Sequence, residues 1–356
     1  MPAVVIDKGY GGNATFTRAL GLRAPGSLNY RFEVTRVEAG DIYFCVNYGV
    51  CELETVSALR DRQRLSPVAL TASVNRTNDP LSPSRGYIAN ATLEHASTFT
   101  ASDFRYNRAF LEGAYYFRMG RGSVIATRVR AGWVNALEST QQATGAAALH
   151  PRKRFYAGGS QSVRGFGENQ LGPRVLTIPS EKLRGGAGEY CGAERPIAGC
   201  DPNASFVNEA GKTIALPSEA FSPRPTGGSR LLEGSVEYRF PLWGDKLFGA
   251  TFVDAGVVSG AAVGQGEGEE GIDISEFVQG DAAVTPGVGI RYRSPIGHIR
   301  VDVGYRPRTV EDLSVITDDG TSGNTRLVPL EAKRRIVIGE KFLDRLTLHL
   351  SIGEAF

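Results

Sequence analysis

The feature that most constrains this fold is an alternation of apolar and polar side chains that recurs along the whole chain. Near the C-terminus, one face would carry Leu346, Leu348 and Leu350. The opposite face would carry Thr347 and His349. Successive side chains of a β-strand point to opposite sides, so this period of two predicts a strand with one apolar and one polar face. The same alternation occurs in segments 28–35, 68–75, 111–118, 125–133, 233–240, 248–256, 288–293 and 298–306.

The polar faces of these segments are rich in arginine and glutamate, which is unusual for the hidden side of a soluble β-sandwich. No stretch approaches the roughly 18 consecutive apolar residues that a transmembrane helix needs. A closed barrel is the other structure that satisfies every backbone group in lipid. The pattern therefore predicts an all-β fold, a transmembrane antiparallel β-barrel that forms one domain over residues 1–356. Its apolar face should meet lipid and its charged face should line a water-filled lumen.

The connections between the predicted strands alternate in length. Short turns are expected at 21–27, 78–85, 119–122, 241–245 and 294–297. Long loops are expected at 38–65, 134–229, 259–285 and 307–345. Outer-membrane barrels place short turns on the periplasmic side and long loops outside. This count predicts eleven or twelve strands, with the segment 3–20 as the weakest of them.

Charge and the N-terminal residues bear on location and partners. The chain has 40 basic and 38 acidic residues, a net charge of +2, and this balance gives no reason to expect nucleic acid as a partner. The first seven residues lack the basic region and apolar core of a signal peptide. An outer-membrane protein must be exported, so we expect the natural N-terminus to lie upstream. On this point alone, a cytosolic protein is the alternative.

Four cysteines form two close pairs, Cys45 with Cys51 and Cys191 with Cys200, each in a predicted outer loop. In an oxidising compartment the pairs could close two local disulfides, and free thiols are the alternative. No histidine lies near either pair, so a zinc site is not expected. The sequence predicts no metal and no cofactor.

The loop 134–229 is too long for a passive connection, since long structureless loops are usually functional or disordered. Its segment 154–166 reads Arg-Phe-Tyr-Ala-Gly-Gly-Ser-Gln-Ser-Val-Arg-Gly-Phe. Gly158 and Gly159 permit tight backbone turns, and Val163 and Phe166 flank Arg164. A loop folded back into the barrel would use this arrangement, with Arg164 seeking a carboxylate and Phe166 packing.

A partner for Arg164 exists on the strand predicted over 248–256. Alternation places Phe252, Asp254 and Gly256 on the lumen face, and Glu237 on the lumen face of the preceding strand. A charge-assisted bond from Arg164 to Asp254, with Glu237 contributing, would compensate the buried charges. The alternative is a solvated Arg164 and an isolated Asp254.

Five motifs in order along the chain resemble those of the BamA/TamA outer-membrane assembly superfamily. Val163–Phe166 with its lead-in from Arg154 resembles the inward-loop signature of that family, and 252–256 resembles its F-x-D-x-G strand motif. The segments 76–87 and 287–297 resemble its strand–turn–strand and late-hairpin signatures. The end of the chain, 348–356, is similar to a terminal β-signal, with Gly353 and Phe356 in it, and is nearest to the TamA-like branch.

The resemblance implies a fold and a mechanism. It implies that Arg164, Gly165 and Phe166 anchor the loop in the lumen through Asp254, and that the terminal strand pairs with the first strand at a weak seam. Client strands would enter at that seam by pairing with an exposed edge. The family has sixteen strands and upstream POTRA domains, whereas eleven or twelve strands and no POTRA domain are visible in this sequence. We therefore expect an incomplete piece or a shortened variant.

The leading functional hypothesis is an assembly or translocation barrel without bond-making chemistry, and so not an enzyme. Its implied partners are outer-membrane lipid, unfolded outer-membrane or autotransporter clients, and a periplasmic or inner-membrane protein reached through upstream domains. A two-partner secretion transporter is the alternative within the superfamily. A diffusion pore and an outer-membrane hydrolase are alternatives of other classes. The hydrolase is disfavoured because none of the four histidines sits in a recognisable nucleophile–base arrangement in the sequence: His95, His150, His298 and His349.

Overall fold

The structure is a computed structural model that describes residues 6–21, 23–38, 61–137, 149–186, 188–244, 246–260, 282–294, 297–319 and 327–353. The first strands in the chain are β1 (Ile6–Gly21), β2 (Ala24–Glu38), β3 (Gln63–Arg64), β4 (Val68–Asn75), β5 (Gly86–Ala96), β6 (Tyr106–Arg118) and β7 (Val124–Ala136). The long loop that follows holds β8 (Arg174–Thr177), helix α1 (Ser180–Arg184), β9 (Ser205–Val207), β10 (Thr213–Ala215) and β11 (Ser222–Pro225). Next come β12 (Arg230–Trp243), β13 (Leu247–Ser259), β14 (Ala283–Ser294) and β15 (Gly297–Tyr305). The last part contains β16 (Thr309–Leu313), β17 (Val315–Asp318), β18 (Leu327–Pro329), β19 (Arg334–Ile338) and β20 (Leu346–Ile352).

Helical segments are short. Besides α1 there are single 3₁₀ turns at Thr98–Thr100, Gly120–Gly122, Pro151–Lys153, Ile197–Gly199, Ser218–Ala220 and Leu343–Arg345. Within the described ranges, no helix has both the length and the apolar character needed to cross a membrane.

Within the described residues, one antiparallel sheet of twelve strands forms the barrel wall, and this confirms the predicted fold class and strand count. Its order is β1-β2-β4-β5-β6-β7-β12-β13-β14-β15-β20, with β3 beside β2. The segment judged weakest in the sequence is the full strand β1, paired with β2 from Ile6↔Glu38 to Gly21↔Ala24. The connection at 97–105 between β5 and β6 was not among the predicted turns, because it lacks glycine and proline.

The wall is polar inside and apolar outside, as β12 illustrates. Glu237 is 0 % exposed, whereas its neighbour Val236 is 53 % exposed. Polar side chains along the inner face are buried, and Tyr238 and Leu232 on the outer face are exposed. This is the inverse of a soluble sheet and is the expected arrangement for a wall that faces lipid. One expectation needs correcting: at the level of β12, the charged inner side chains are covered by the inward loop instead of lining an open aqueous space.

The outer loops build a second hydrophobic core. Strands β11-β8-β17-β18 form a four-stranded sheet in which β17 and β8 are parallel, while β16 and β19 pair separately. Its core consists of Leu176, Ile178, Leu183, Cys191, Ile197, Cys200, Leu216, Ala220, Phe221, Val315 and Leu330. We call this unit the cap. A disulfide joins Cys191 and Cys200 within it, whereas Cys45 and Cys51 lie outside the described residues.

Candidate functional site

The inward loop is the part of the long loop between Phe155 and Gly228, and these two residues pair where the loop begins and ends. We call this pairing the neck. The backbones of Phe155 and Gly228 exchange two hydrogen bonds of 2.9 Å. The Arg154 guanidinium donates to the carbonyl oxygens of Leu149 and Thr226, at 2.9–3.1 Å. Because one buried arginine ties both sides of the neck, the segment between them is held as a folded unit.

The tip of this loop is a compact turn over Val163–Phe166. The Phe166 amide donates to the Val163 carbonyl at 3.2 Å, and the Gly159 amide donates to the Phe166 carbonyl at 3.1 Å. Gly158 and Gly159 have φ values of +100° and +110°, a region that disfavours residues with a Cβ. The two glycines therefore allow the chain to reverse immediately before the tip.

Arg164 is the best-connected residue of the tip. Its Nε and Nη2 donate to Asp254 Oδ2 and Oδ1, both at 2.8 Å, and its backbone N–H donates to Asp254 at 3.0 Å. Nη1 donates to Glu237 Oε2 at 2.6 Å. The guanidinium also lies over the Phe252 ring, 3.3 Å from its centroid. The structure thus brings Arg164, Asp254, Glu237 and Phe252 into one buried contact set.

Further charges surround this pair. Glu237 also accepts hydrogen bonds from Arg239 at 2.8 Å and from Arg291 at 2.9 Å. Asp302 lies 3.5 Å from Arg164 Nη1 and bonds Arg291. Buried ions are tolerated when several partners compensate them, and removing one partner leaves an unpaired charge.

Glycines on the barrel wall make room for the tip. A Cβ added to Gly256 would lie 2.7 Å from Val163 Cγ2. A Cβ added to Gly304 would lie 2.2 Å from the Arg164 carbonyl oxygen, a contact shorter than atoms tolerate. The final glycine of the F-x-D-x-G segment thus has a steric role, and Gly304 has a similar one that the sequence did not reveal.

The tip also contacts the last strand. The Thr347 hydroxyl donates to the Gly165 carbonyl at 3.1 Å, and His349 Nε2 donates to the Arg164 carbonyl at 2.8 Å. Gly353, with φ +104°, follows the end of β20, and Phe356 lies outside the described residues. The inward side of the terminal strand is therefore braced by the loop that Arg164 anchors.

On its other side, the tip connects to the cap. Phe166 is buried, and the Arg306 guanidinium lies 4.1 Å from its ring centroid. Arg306 donates to Glu311 at 2.7 Å, and Arg174 bonds the same carboxylate. A continuous set of contacts runs from the lumen to the outer loops.

His150 lies outside the wall strands, next to the neck, and is 1 % exposed. Its ring meets Phe104 edge-on at 4.8 Å between centroids, and Nδ1 accepts a hydrogen bond from the Arg152 backbone. Burial lowers the pKa of His150 to about 3, and the positive charges of Arg152 and Arg154 act in the same direction. The imidazole is therefore neutral at physiological pH.

His95 lies in a polar cluster that the sequence pattern did not indicate. His95 Nδ1 lies 2.7 Å from Asn107 Oδ1, and His95 Nε2 lies 3.0 Å from Ser97 Oγ. The spacing of His95 and Ser97 was visible in the sequence, because residues two apart share a face of a strand. The opposition of His95 and Asn107 depends on the β5–β6 register, which the sequence did not specify.

Among the residues that the structure describes, no group of three or more histidine, cysteine or acidic side chains could hold a metal ion.

Comparison with known proteins places this architecture. The Omp85 superfamily domain matches residues 5–356. BamA from Haemophilus ducreyi, crystallised without POTRA domains 1–3, matches with a TM-score of 0.55 at 16 % identity, over 93 % of this chain and 54 % of that chain. CdiB from Acinetobacter baumannii matches with a TM-score of 0.42 at 12 % identity, over 86 % of this chain and 40 % of that chain.

This chain spans about half the length of the BamA structure it matches, and that likeness concerns the fold. The superfamily match, in contrast, covers nearly the whole sequence. Together with the apolar outer wall and the inward loop, it establishes that the chain belongs to the Omp85 superfamily of outer-membrane β-barrel proteins.

Proposed function

We propose that this barrel inserts or exports client proteins by pairing their strands with a seam at its terminal strand β20. The observation that carries the proposal is the tip of the inward loop, which is locked onto β12 and β13 through Arg164 and also contacts β20. The client would be an unfolded outer-membrane or autotransporter protein, and lipid would surround the seam. A periplasmic or inner-membrane protein is a further proposed partner.

The placement of β20 supports this proposal. Its inner face is held by the loop through Thr347 and His349. Its outer face is strongly exposed, with Leu348 at 69 % and Leu350 at 73 %. In the sheet order β20 stands at the opposite end from β1. A strand that is hydrogen-bonded to the loop on its inner side and exposed on its outer side suits templated pairing with an incoming strand.

Gene depletion with complementation tests the role of the loop. We expect depletion to lower the outer-membrane levels of other barrels or autotransporters, and wild-type protein to restore them. Arg164→Ala should not restore them, because it releases the loop. Arg152→Ala is the matched control, since this arginine lies in the same loop but is half-exposed on Glu33. Client levels that do not change on depletion would refute the proposal.

The seam is tested by site-specific crosslinking. A photo-crosslinking residue at Leu350 should capture client strands during assembly, whereas one at Val236, exposed on β12 far from the seam, should not. Capture of one dedicated substrate, with other barrels unaffected, would favour a two-partner secretion transporter. Equal capture at both positions would contradict entry at β20.

Conductance measurements distinguish an assembly barrel from a diffusion pore. The inward loop covers part of the inner faces of β12 and β13, so we expect the wild-type barrel to conduct weakly in planar bilayers. Arg164→Ala should raise conductance if the loop acts as a plug. A wild-type conductance as high as that of the variant would favour an open pore over an assembly barrel.

A further inference from the structure

We propose that Ser97, His95 and Asn107 form a hydrolytic site for acyl esters of membrane lipids on the outer face of the barrel. The site lies where β5 ends, at the end of the wall that carries the long loops, which is the extracellular end in outer-membrane barrels. It is separate from the Arg164 cluster, and it is an activity beyond the proposed function.

His95 lies between the other two side chains and contacts both Asn107 and Ser97. Asn107 Oδ1 can only accept, so the 2.7 Å contact places the proton of a neutral imidazole on Nδ1. Nε2 is then the acceptor for the Ser97 hydroxyl, 3.0 Å away. Nucleophile, base and orienting group within hydrogen-bond reach constitute the arrangement used for serine and cysteine acyl transfer, including variants in which asparagine orients the histidine.

The backbone of Ser97 is held on both sides. Its N–H donates to Thr100 Oγ1 at 2.9 Å, and its carbonyl accepts from the amides of Thr100 and Ser102 at 3.1 and 3.0 Å. The same loop is fastened to β3 by Asp103, which accepts from the Arg64 guanidinium at 2.7 Å. A nucleophile held in place before substrate arrives loses little entropy on reaction.

A groove runs from this cluster along the lipid-facing wall. Its volume is 350 Å³, within the range of about 300–1,000 Å³ for small-molecule sites. His95 and Asn107 line one part of it, and the remainder includes Val68, Leu70, Leu93, Ala109 and Trp133. Leu70 and Leu93 are each more than half exposed on the outer face. An apolar chain lying in this groove would reach His95, and Ser97 Oγ lies 3.0 Å from the Nε2 atom of that histidine.

The reaction balances with water as the second substrate. Ser97 Oγ bonds to the ester carbonyl carbon, while its proton passes to His95 Nε2. The carbon–oxygen bond to the lipid alcohol then breaks, and the alcohol leaves with the proton from His95. Water next bonds to the acyl carbon and gives a proton to His95, and the Ser97–acyl bond breaks as Ser97 recovers that proton. The products are a fatty acid and a lysolipid or alcohol.

Purified full chain in detergent micelles tests the proposal with p-nitrophenyl dodecanoate, p-nitrophenyl butanoate and phosphatidylcholine mixed micelles. We expect hydrolysis that prefers the dodecanoyl ester, release of fatty acid from phosphatidylcholine, and fluorophosphonate labelling of Ser97 by peptide mass spectrometry. Ser97→Ala and His95→Ala should lower the rate by about 10²-fold or more. Asn107→Ala should lower kcat more than it raises KM, and Asn107→Asp should recover most of the rate.

Thr98→Ala, at the adjacent exposed threonine, is the matched control and should keep the wild-type rate. Leu93→Trp should raise KM for the dodecanoyl ester but not for the butanoyl ester, because it fills the groove. Heat-modifiable gel mobility verifies that each variant is folded. A folded wild-type chain without turnover and without label on Ser97 would overturn the proposal, as would an undiminished rate in Ser97→Ala. Equal rates on short and long esters would overturn the assignment of lipid as substrate.

Discussion

At the scale of single residues, Arg164 shows why a buried charge can be essential without being intrinsically favourable. Desolvation of a guanidinium is costly, and here Asp254 and Glu237 compensate it at 2.8 and 2.6 Å. The motif resemblance predicted the pairing with Asp254. It did not predict that Glu237 would be shared with Arg239 and Arg291, because that sharing depends on which wall strands lie side by side.

Breaking the pair from one side should be costly. Arg164→Ala leaves Asp254 and Glu237 buried without their main cation, so we expect a loss of about 3–5 kcal/mol in the free energy of unfolding. The double variant Arg164→Ala/Asp254→Ala should lose less than the sum of the two single variants. Urea unfolding in detergent, followed by gel mobility, measures both quantities. Additive losses would show that the two side chains do not interact.

Close packing of the tip gives a second expectation. Gly304→Ala forces a Cβ to within 2.2 Å of the Arg164 carbonyl oxygen, so it should destabilise by about 1–3 kcal/mol and make the inward loop more sensitive to protease. Gly234→Ala on β12 is the control, since a Cβ there meets nothing within 4 Å. Equal effects of the two alanines would exclude a steric role for Gly304.

His150 should make stability depend on pH. Its pKa is about 3 in the folded chain and 6.5 without burial, so the unfolded chain binds the extra proton between these values. Stability therefore falls as pH drops below about 6.5, by at most ~1.4 kcal/mol per pH unit. His150→Gln keeps an acceptor for the Arg152 amide and should flatten this slope. The test is the urea concentration at the unfolding midpoint, measured for both proteins from pH 7 to about pH 5. Most carboxylates titrate below this range. The same dependence of the midpoint on pH in wild type and His150→Gln would contradict the prediction.

At the scale of elements, the cap shows that the outer loops are folded structure. Strand β8 pairs with β11 and with β17, which is more than 130 residues later in the chain, so two loops share one core. The sequence pattern predicts 134–229 and 307–345 as two separate loops. The cap strands have three to five residues and no clear alternation, so the sequence pattern does not predict them. They are stabilised by packing against one another.

Removing the cap disulfide should therefore have a local effect. The Cys191–Cys200 bond closes a loop of about ten residues, which in the chain-entropy model stabilises by about 2–3 kcal/mol. Cys191→Ala/Cys200→Ala should increase hydrogen exchange in α1 and the neighbouring cap residues and leave β12 and β13 protected. Hydrogen exchange with mass spectrometry measures this difference. Loss of protection throughout the wall would contradict a separate cap core.

At the scale of the whole molecule, the wall exposes apolar side chains and buries polar ones, so its outer surface is suited to contact with lipid. Val236→Arg on the outer face should destabilise the barrel in lipid vesicles by about 2–4 kcal/mol if it lies near the bilayer centre. Val207→Arg is the control, because Val207 is similarly exposed but lies on β9, in the long loop outside the wall. The measurement is urea unfolding of vesicle-inserted protein. A neutral effect of Val236→Arg would argue against lipid at this surface.

The architecture of the wall is encoded locally, because alternation along a strand is a property of neighbouring residues. The sequence alone was sufficient to predict eleven or twelve strands and their inward and outward faces, whereas the partnership of Arg164 with Asp254 was implied by the motif resemblance. Tertiary structure alone decided the contact of the tip with β20, the joint core of the cap and the opposition of His95 to Asn107. These depend on strand register and on loops that meet across long sequence separations, and no local pattern encodes either.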